Sequence, residues 1–326
     1  MKALQCQNQE LTVAEVPKPA VDGEAVVRVT LSGICNTDLE IARGYAGFQG
    51  TLGHEFVGVI EELPESTVKA PAVGLLKRGD RVVGEINAGC GRCDLCRSGD
   101  PRHCPARTVL GIVGRDGAHA EFLKLPVANL LAVPANVSDQ EAVFTEPLAA
   151  ACGILERATV TTKSSVAVIG DGKLGLLCAQ VLRTTGAEVT VIGRHENKLA
   201  IARKRSIETM LSETAGQRKG EFDVVVEASG SPSGFDLALD LLRPRGVLVL
   251  KSTFHGTTKI GAARIVVDEI SVVGSRCGRF APALELLRNK QIDVESLISE
   301  EFALSDGLQA MSLAGKSGAL KVLLRP

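Results

Sequence analysis

From Val166 to Gly175 the chain reads Val-Ala-Val-Ile-Gly-Asp-Gly-Lys-Leu-Gly: an apolar run, a glycine-rich turn, and the opening of an Ala- and Leu-rich stretch. Three spaced glycines alone say little. Set between a strand-like run and a helix-like one, they describe a turn whose backbone can approach a pyrophosphate and leave it on the free N–H groups of a helix start. Gly170, Gly172 and Gly175, with Lys173 and Leu174 between them, are therefore expected to bind a dinucleotide. The pattern on either side of the turn fixes the fold class. Strand candidates at 166–169, 188–192, 223–228, 246–251 and 270–274 alternate with helical candidates at 174–185, 196–205 and 233–243. Such alternation needs crossover helices on both faces of a parallel sheet, so this part is expected to be an α/β, doubly wound domain.

A chain of 326 residues exceeds what one hydrophobic core usually supports. The texture changes near Glu141. Residues before it read as short strands broken by Gly and Pro, among them Val26–Val29, Phe56–Ile60 and a turn-strand at Gly79–Val83. The expected division is a mainly β domain over 1–140, a dinucleotide-binding domain over 141–275, and a segment over 276–326 that returns to the first. Within that last segment a helix is expected over 281–290 and a final strand at Val322-Leu323-Leu324.

The formal net charge is −1, with no basic stripe or Lys/Arg cluster, so the chain offers no footprint for nucleic acid or an anionic membrane. Met1 to Pro19 has neither a signal-peptide apolar region nor an Arg-rich presequence, and no apolar run is long enough to span a bilayer. A cytoplasmic protein acting on a small molecule is the expectation.

Four of the nine cysteines fall within fifteen residues, as Cys90-x2-Cys93-x2-Cys96-x7-Cys104. Four thiolates in one glycine-bordered loop (Gly89, Gly91, Gly99) fill a tetrahedral zinc and leave no open position, the mark of a structural site. The bacterial iron–sulfur run needs a shorter last gap before its proline, so the Pro105 that comes after Cys104 does not convert the pattern. The odd count and the scatter of the other cysteines through apolar segments argue against a disulfide framework.

Gly33-Ile34-Cys35-Asn36-Thr37-Asp38, Gly53-His54-Glu55, the cysteine lobe and Glu146-Pro147-Leu148-Ala149 occur in one order along the chain. In these motifs the sequence resembles the zinc-containing medium-chain dehydrogenases, nearest the polyol, threonine and glucose dehydrogenase branch, over nearly its whole length. The resemblance implies a GroES-like catalytic domain over 1–140 with its zinc lobe at about 88–106, and a Rossmann domain over 141–275. It implies a second, catalytic zinc, making two per chain, held by Cys35, His54 and a carboxylate. Glu146 is favoured as that third ligand, with Glu55 the alternative. By family position Asp38 accepts the other N–H of His54 and Thr37 relays the substrate proton. Where several relatives carry a proton-path histidine this chain has Glu40, which either contacts a hydroxylated substrate or is a solvated helix-face acid. Ser229 falls near the cofactor ribose, and Lys321 where relatives place a base facing the pyrophosphate.

NAD-specific members carry an acid at the end of the second strand for the ribose 2′-hydroxyl. Here that strand ends Val191-Ile192-Gly193-Arg194-His195. A glycine leaves room for a 2′-phosphate and Arg194 can pair with it bidentately, so NADP(H) is expected over NAD(H). The implied activity is reversible hydride transfer between that cofactor and an alcohol or polyol and its aldehyde or ketone, in a homodimer or homotetramer. Tyr45, Phe48 and Phe254 could instead wall an apolar pocket. Two rivals share the fold: a zinc-independent quinone or enoyl reductase, and a non-enzymatic crystallin-like cofactor binder. Cys35, His54 and Glu146 together argue against both.

Overall fold

The computed structural model describes residues 1–65, 76–252 and 260–326. Its second half holds a parallel sheet of six strands, in the spatial order Glu208–Leu211, Glu188–Gly193, Ser165–Ile169, Phe222–Glu227, Leu242–Leu250, Ser271–Gly274. In chain order that is 3-2-1-4-5-6, the dinucleotide-binding arrangement. The inner strands are continuous buried runs of Val, Ile and Leu because helices cover a parallel sheet on both faces. Phe222, Val225, Leu241 and Leu248 are fully buried in the core beneath the helix Pro232–Leu241. The strand Glu208–Leu211 is not among the strands expected from sequence, because it is a short edge strand with exposed ends and no buried run to betray it. The helices Lys173–Arg183, Glu196–Lys204, Pro232–Leu241 and Phe280–Arg288 lie within a few residues of their expected spans.

The chain forms two units: Met1–Glu146 with Ala283–Asn289 and Leu297–Pro326, and Pro147–Pro282 with Lys290–Ser296. In the first, the ten-residue strand Ala25–Ile34 is the spine of a sheet ordered Leu130–Ala132, Arg81–Gly84, Glu55–Glu62, Ala25–Ile34, Lys321–Arg325, Ile298–Ala303. Phe122–Leu125 also pairs with the spine. Leu4, Ile34, Ile41, Leu52, Val322 and Leu324 close one core beside it. Among the described residues, no helix is long and apolar enough to cross a membrane.

Candidate metal centres and cofactor turn

Cys35 stands where the spine strand gives way to the helix Asn36–Ala42, as the N-cap residue of that helix. Its backbone N–H donates to Oδ2 of Asp38 at 2.7 Å, and the N–H of Gly53 donates to Oδ1 at 3.1 Å. A fully buried carboxylate thus ties the segment carrying Cys35 to the one carrying His54. Gly53 has φ +96°, and a Cβ there would lie 2.6 Å from the ring of His119. Only glycine turns the chain so closely into the strand Glu55–Glu62. The result brings Sγ of Cys35, a ring nitrogen of His54 and a carboxylate oxygen of Glu55 within 4.8 Å of one another.

Nδ1 of His54 faces Oδ1 of Asp38 at 3.6 Å. Burial opposes charge on both groups, yet their mutual attraction wins. Asp38 is held well below the usual carboxylate range by His54 and His119, and His54 is raised well above an ordinary imidazole by Asp38 and Cys35. Nδ1 of His54 and Oε1 of Glu55 are buried with no hydrogen-bond partner among the described residues. An unpaired buried carboxylate oxygen is costly, and a site that sets it among a sulfur and a ring nitrogen fits a zinc ion.

Glu55 has a counter-ion that sequence reasoning placed elsewhere. Gly33 sits opposite both Glu55 and Leu323 in the strand registers, and lacks a side chain to fill the space between the neighbouring strands. Over it the Nζ of Lys321 donates to Oε2 of Glu55 and to the carbonyl of Ile34 at 3.4 Å, with the Phe144 ring 5.6 Å away. Lys321 is fully buried. Its strand is flanked on both sides, so it is not an edge lysine, and its ammonium is engaged by Glu55 and the Ile34 carbonyl. Glu146, in the first turn of Thr145–Cys152, is outside the trio that includes Glu55. Burial raises its pKa to about 7, with Glu55 and Glu85 adding to the effect and His54 and Lys321 opposing it.

Thr37 places its hydroxyl 3.8 Å from Sγ of Cys35. Glu40 pairs with Arg43 at 2.8 Å, one turn along the same helix. Phe48 packs against the apolar core, Tyr45 is exposed, and Phe254 lies outside the described residues.

The four sulfurs of Cys90, Cys93, Cys96 and Cys104 also lie within 4.8 Å of one another. The short helix Asp94–Arg97 starts from Cys93, and the hairpin of Asn87–Ala88 with Thr108–Val109 holds the ends of the loop together. Amide N–H groups of Arg92 and Cys93 pull the thiol of Cys90 down to about 6, while burial and the neighbouring thiols push Cys96 up to about 11. Unlike thiols packed this closely are set up to share a cation.

The glycine-rich turn divides its labour. Gly170 has φ +121° and a Cβ there would strike the carbonyl of Ala228 at 2.5 Å; a Cβ on Gly175 would collide with the carbonyl of Gly170; Gly172 faces open space. The first and third glycines pack strand against helix, and the second leaves the approach to the N–H groups of Lys173 and Leu174 clear. Ser229 donates through N–H and Oγ to Glu227 at 2.8 and 2.5 Å. The space expected beside Gly193 is not empty. A Cβ at 193 would meet the Asp171 side chain at 2.5 Å, and Oδ2 of Asp171 accepts from the N–H groups of Arg194 and His195 at 2.7 and 2.6 Å. Arg194 itself is exposed.

Sequence reasoning missed Asp171 and His119. A charged residue inside the glycine turn was a usable signal for the first. A lone histidine with no motif gave none for the second.

Residues 21–135 match the model of the alcohol dehydrogenase GroES-like domain, and residues 174–289 that of the zinc-binding dehydrogenases. The sorbitol dehydrogenase of Halalkalibacterium halodurans is 31% identical, aligned over 100% of this chain and 99% of its own. A protein of Sinorhizobium meliloti 1021 described as a zinc-binding dehydrogenase, solved bound to NADP, superposes with a TM-score of 0.91 at 26% identity, covering 100% of this chain and 99% of that one. An alcohol dehydrogenase of Escherichia coli CFT073, solved with NADH, gives 0.90 at 28% identity with the same coverage. With family models matching in both units and similarity running end to end, the chain belongs to the zinc-binding alcohol dehydrogenase family, in its polyol dehydrogenase branch, and is an oxidoreductase acting on CH–OH donors.

Proposed function

We propose that the protein is an NADP(H)-dependent polyol or alcohol dehydrogenase carrying a structural zinc on Cys90, Cys93, Cys96 and Cys104 and a catalytic zinc on Cys35, His54 and Glu146. The observation that carries this reading is the convergence of Cys35, His54 and Glu55 within 4.8 Å, with Oε1 of Glu55 buried and unpaired among the described residues. Charge favours Glu146 as the third ligand. Glu55 already has Lys321 as an ion-pair partner, whereas Glu146 lies near further carboxylates that a cation would relieve. Glu55 is then the alternative ligand, one oxygen tethered and one free.

A zinc ion bound there supplies Lewis acidity toward a substrate oxygen. The chain's own groups do the rest. Asp38 orients His54, Thr37 takes the substrate hydroxyl proton beside Cys35 as its own passes to solvent, and Lys321 holds Glu55 in place through Oε2. A nicotinamide cofactor held at the Lys173–Arg183 helix start, by the N–H groups of Lys173 and Leu174, would accept the hydride that the carbinol carbon gives up as it becomes a carbonyl. The sorbitol dehydrogenase likeness and the carboxylate-rich site support a hydroxylated substrate. Incubating the zinc-loaded protein with a panel of polyols, sugar acids and simple alcohols and following NADPH absorbance tests this; turnover of polyols at least about tenfold above simple alcohols, a difference of about 1.4 kcal/mol, is the expected result. A zinc content of one per chain with no turnover of any member refutes the reading.

The preference for NADP(H) rests on Arg194. Asp171 is already engaged by two amides and by Nδ1 of His195 at 3.0 Å, which leaves the exposed guanidinium as the charge available at the strand end. Solved relatives bind either cofactor, so this chain's own residues must decide. Arg194→Ala is expected to lower kcat/KM for NADPH by about 10- to 100-fold, the worth of a charge-assisted hydrogen bond, and to leave NADH within about threefold. A wild-type preference for NADH that persists in the variant ends this part of the proposal.

A further inference from the structure

His119 is fully buried, on the loop that runs behind Gly53, and no motif accounts for it. Its backbone is clamped: its N–H donates to the carbonyl of Leu52 at 2.8 Å and its carbonyl accepts from Leu4 at 2.8 Å. Its Nδ1 lies 2.9 Å from Oγ of Ser32, and its Nε2 lies 3.6 Å from Oδ2 of Asp38 with no hydrogen-bond partner among the described residues.

The count of acceptor sites on Asp38 explains the arrangement. An ionised carboxylate accepts at about four sites and donates at none. Two are taken by the amides of Cys35 and Gly53. The other two face ring nitrogens, Nδ1 of His54 and Nε2 of His119, each at 3.6 Å. Because Asp38 cannot donate, the charge it presents favours a hydrogen on each of the two nitrogens. Ser32 then donates to Nδ1 of His119, and once His54 gives up its second proton to bind a metal, its lone pair is on Nε2.

We propose that His119 is a positioning residue for the catalytic zinc: with the amides of Cys35 and Gly53 it locks the Asp38 carboxylate, and Asp38 in turn presents the Nε2 lone pair of His54 to the metal. Removing the ring would leave a buried carboxylate free to swing away from His54. This inference rests on the metal assignment proposed above, and its test separates the two.

Full-length protein loaded with zinc is titrated with a competing chelator, and the cobalt-substituted form is followed by its visible d–d bands. His119→Phe keeps the ring volume and removes the donor. It is expected to weaken the zinc at Cys35 and His54 by about 10- to 100-fold, the usual effect of losing a partner behind a ligating imidazole, with the four-cysteine zinc unchanged. His119→Gln, whose amide can reach the place of Nε2, is expected to recover affinity to within about threefold of the wild type, while His119→Asn, one carbon shorter, is expected to behave like the Phe variant. The cobalt bands should shift in the Phe and Asn variants and return in Gln. Wild-type affinity at both metals in His119→Phe overturns the proposal. If that variant also loses the four-cysteine zinc, the Gln and Asn pair decides: equal affinity in the two overturns it, and recovery in Gln alone supports it. A wild-type protein that binds only one zinc defeats the metal assignment itself.

Discussion

Cys35→Ala is expected to abolish dehydrogenase turnover by at least about a thousandfold while leaving the fold and the four-cysteine zinc in place. Losing one electrostatic contact to a developing oxyanion commonly costs about 100- to 1,000-fold, and loss of the sulfur ligand removes the Lewis acid as a whole. An alcohol proton would then have to leave from a hydroxyl as weakly acidic as that of bulk water, instead of one made far more acidic by the metal. The substitution is confined. The backbone N–H of Cys35 still donates to Asp38, so the helix start survives, and the half-buried thiol leaves only a small gap. Metal analysis and steady-state rates with a polyol check it together: zinc content should fall by one ion per chain along with kcat. Unchanged zinc content, or a rate within about tenfold of the wild type, would falsify the assignment of Cys35 as a ligand, because such an effect is smaller than the loss of even one oxyanion contact.

The second large effect is on stability. Cys104 is the most deeply buried of the four lobe cysteines. Cys104→Ser removes its thiolate from a site with no spare ligand. Structural zinc contributes about 10–16 kcal/mol in small peptides where binding and folding are one event; in a lobe anchored at both ends by a hairpin only part of that reaches the global transition. A loss of at least about 3 kcal/mol is expected, which lowers Tm by roughly 6–12 °C for a domain of this size. Differential scanning calorimetry with and without a strong chelator measures it, and limited proteolysis should cut between Cys90 and Cys104. The Cys35→Ala protein, with its four-cysteine site intact, is the control. A Tm within about 1 °C of the wild type in the Cys104 variant, with zinc content unchanged, would show that the lobe does not bind a structural ion.

The parallel sheet was legible because inner strands buried on both faces appear in sequence as unbroken Val and Ile runs, and because the glycine turn marks where the first one ends. Glu208–Leu211 escaped since an edge strand needs neither. The cysteine lobe was legible for the opposite reason: its ligands are neighbours in the chain, so spacing alone carries the geometry. Cys35 and His54 came from a family resemblance, as nothing in their separate stretches fixes a distance between them. The pairing of Lys321 with Glu55 was not legible. It depends on both flanking strands bonding to the spine across Gly33, a relation between residues 266 positions apart that no local pattern records. The space next to Gly193 was misjudged for a similar reason, since the group filling it, Asp171, arrives from the neighbouring strand's turn.

The metal-binding unit draws one of its strands, Lys321–Arg325, from the far side of the continuous segment Pro147–Pro282. On the ribosome, Cys35, His54 and Glu55 therefore emerge long before the ammonium that neutralises Glu55 exists. At the usual pace of about 5–20 residues per second the interval is measured in many seconds. During that time the nucleotide-binding unit can finish folding, while the place beside the spine that Lys321–Arg325 takes is still unfilled. Order of synthesis thus leaves the pairing of Lys321 with Glu55, and the closing of the sheet beside Gly33, to the last strand made.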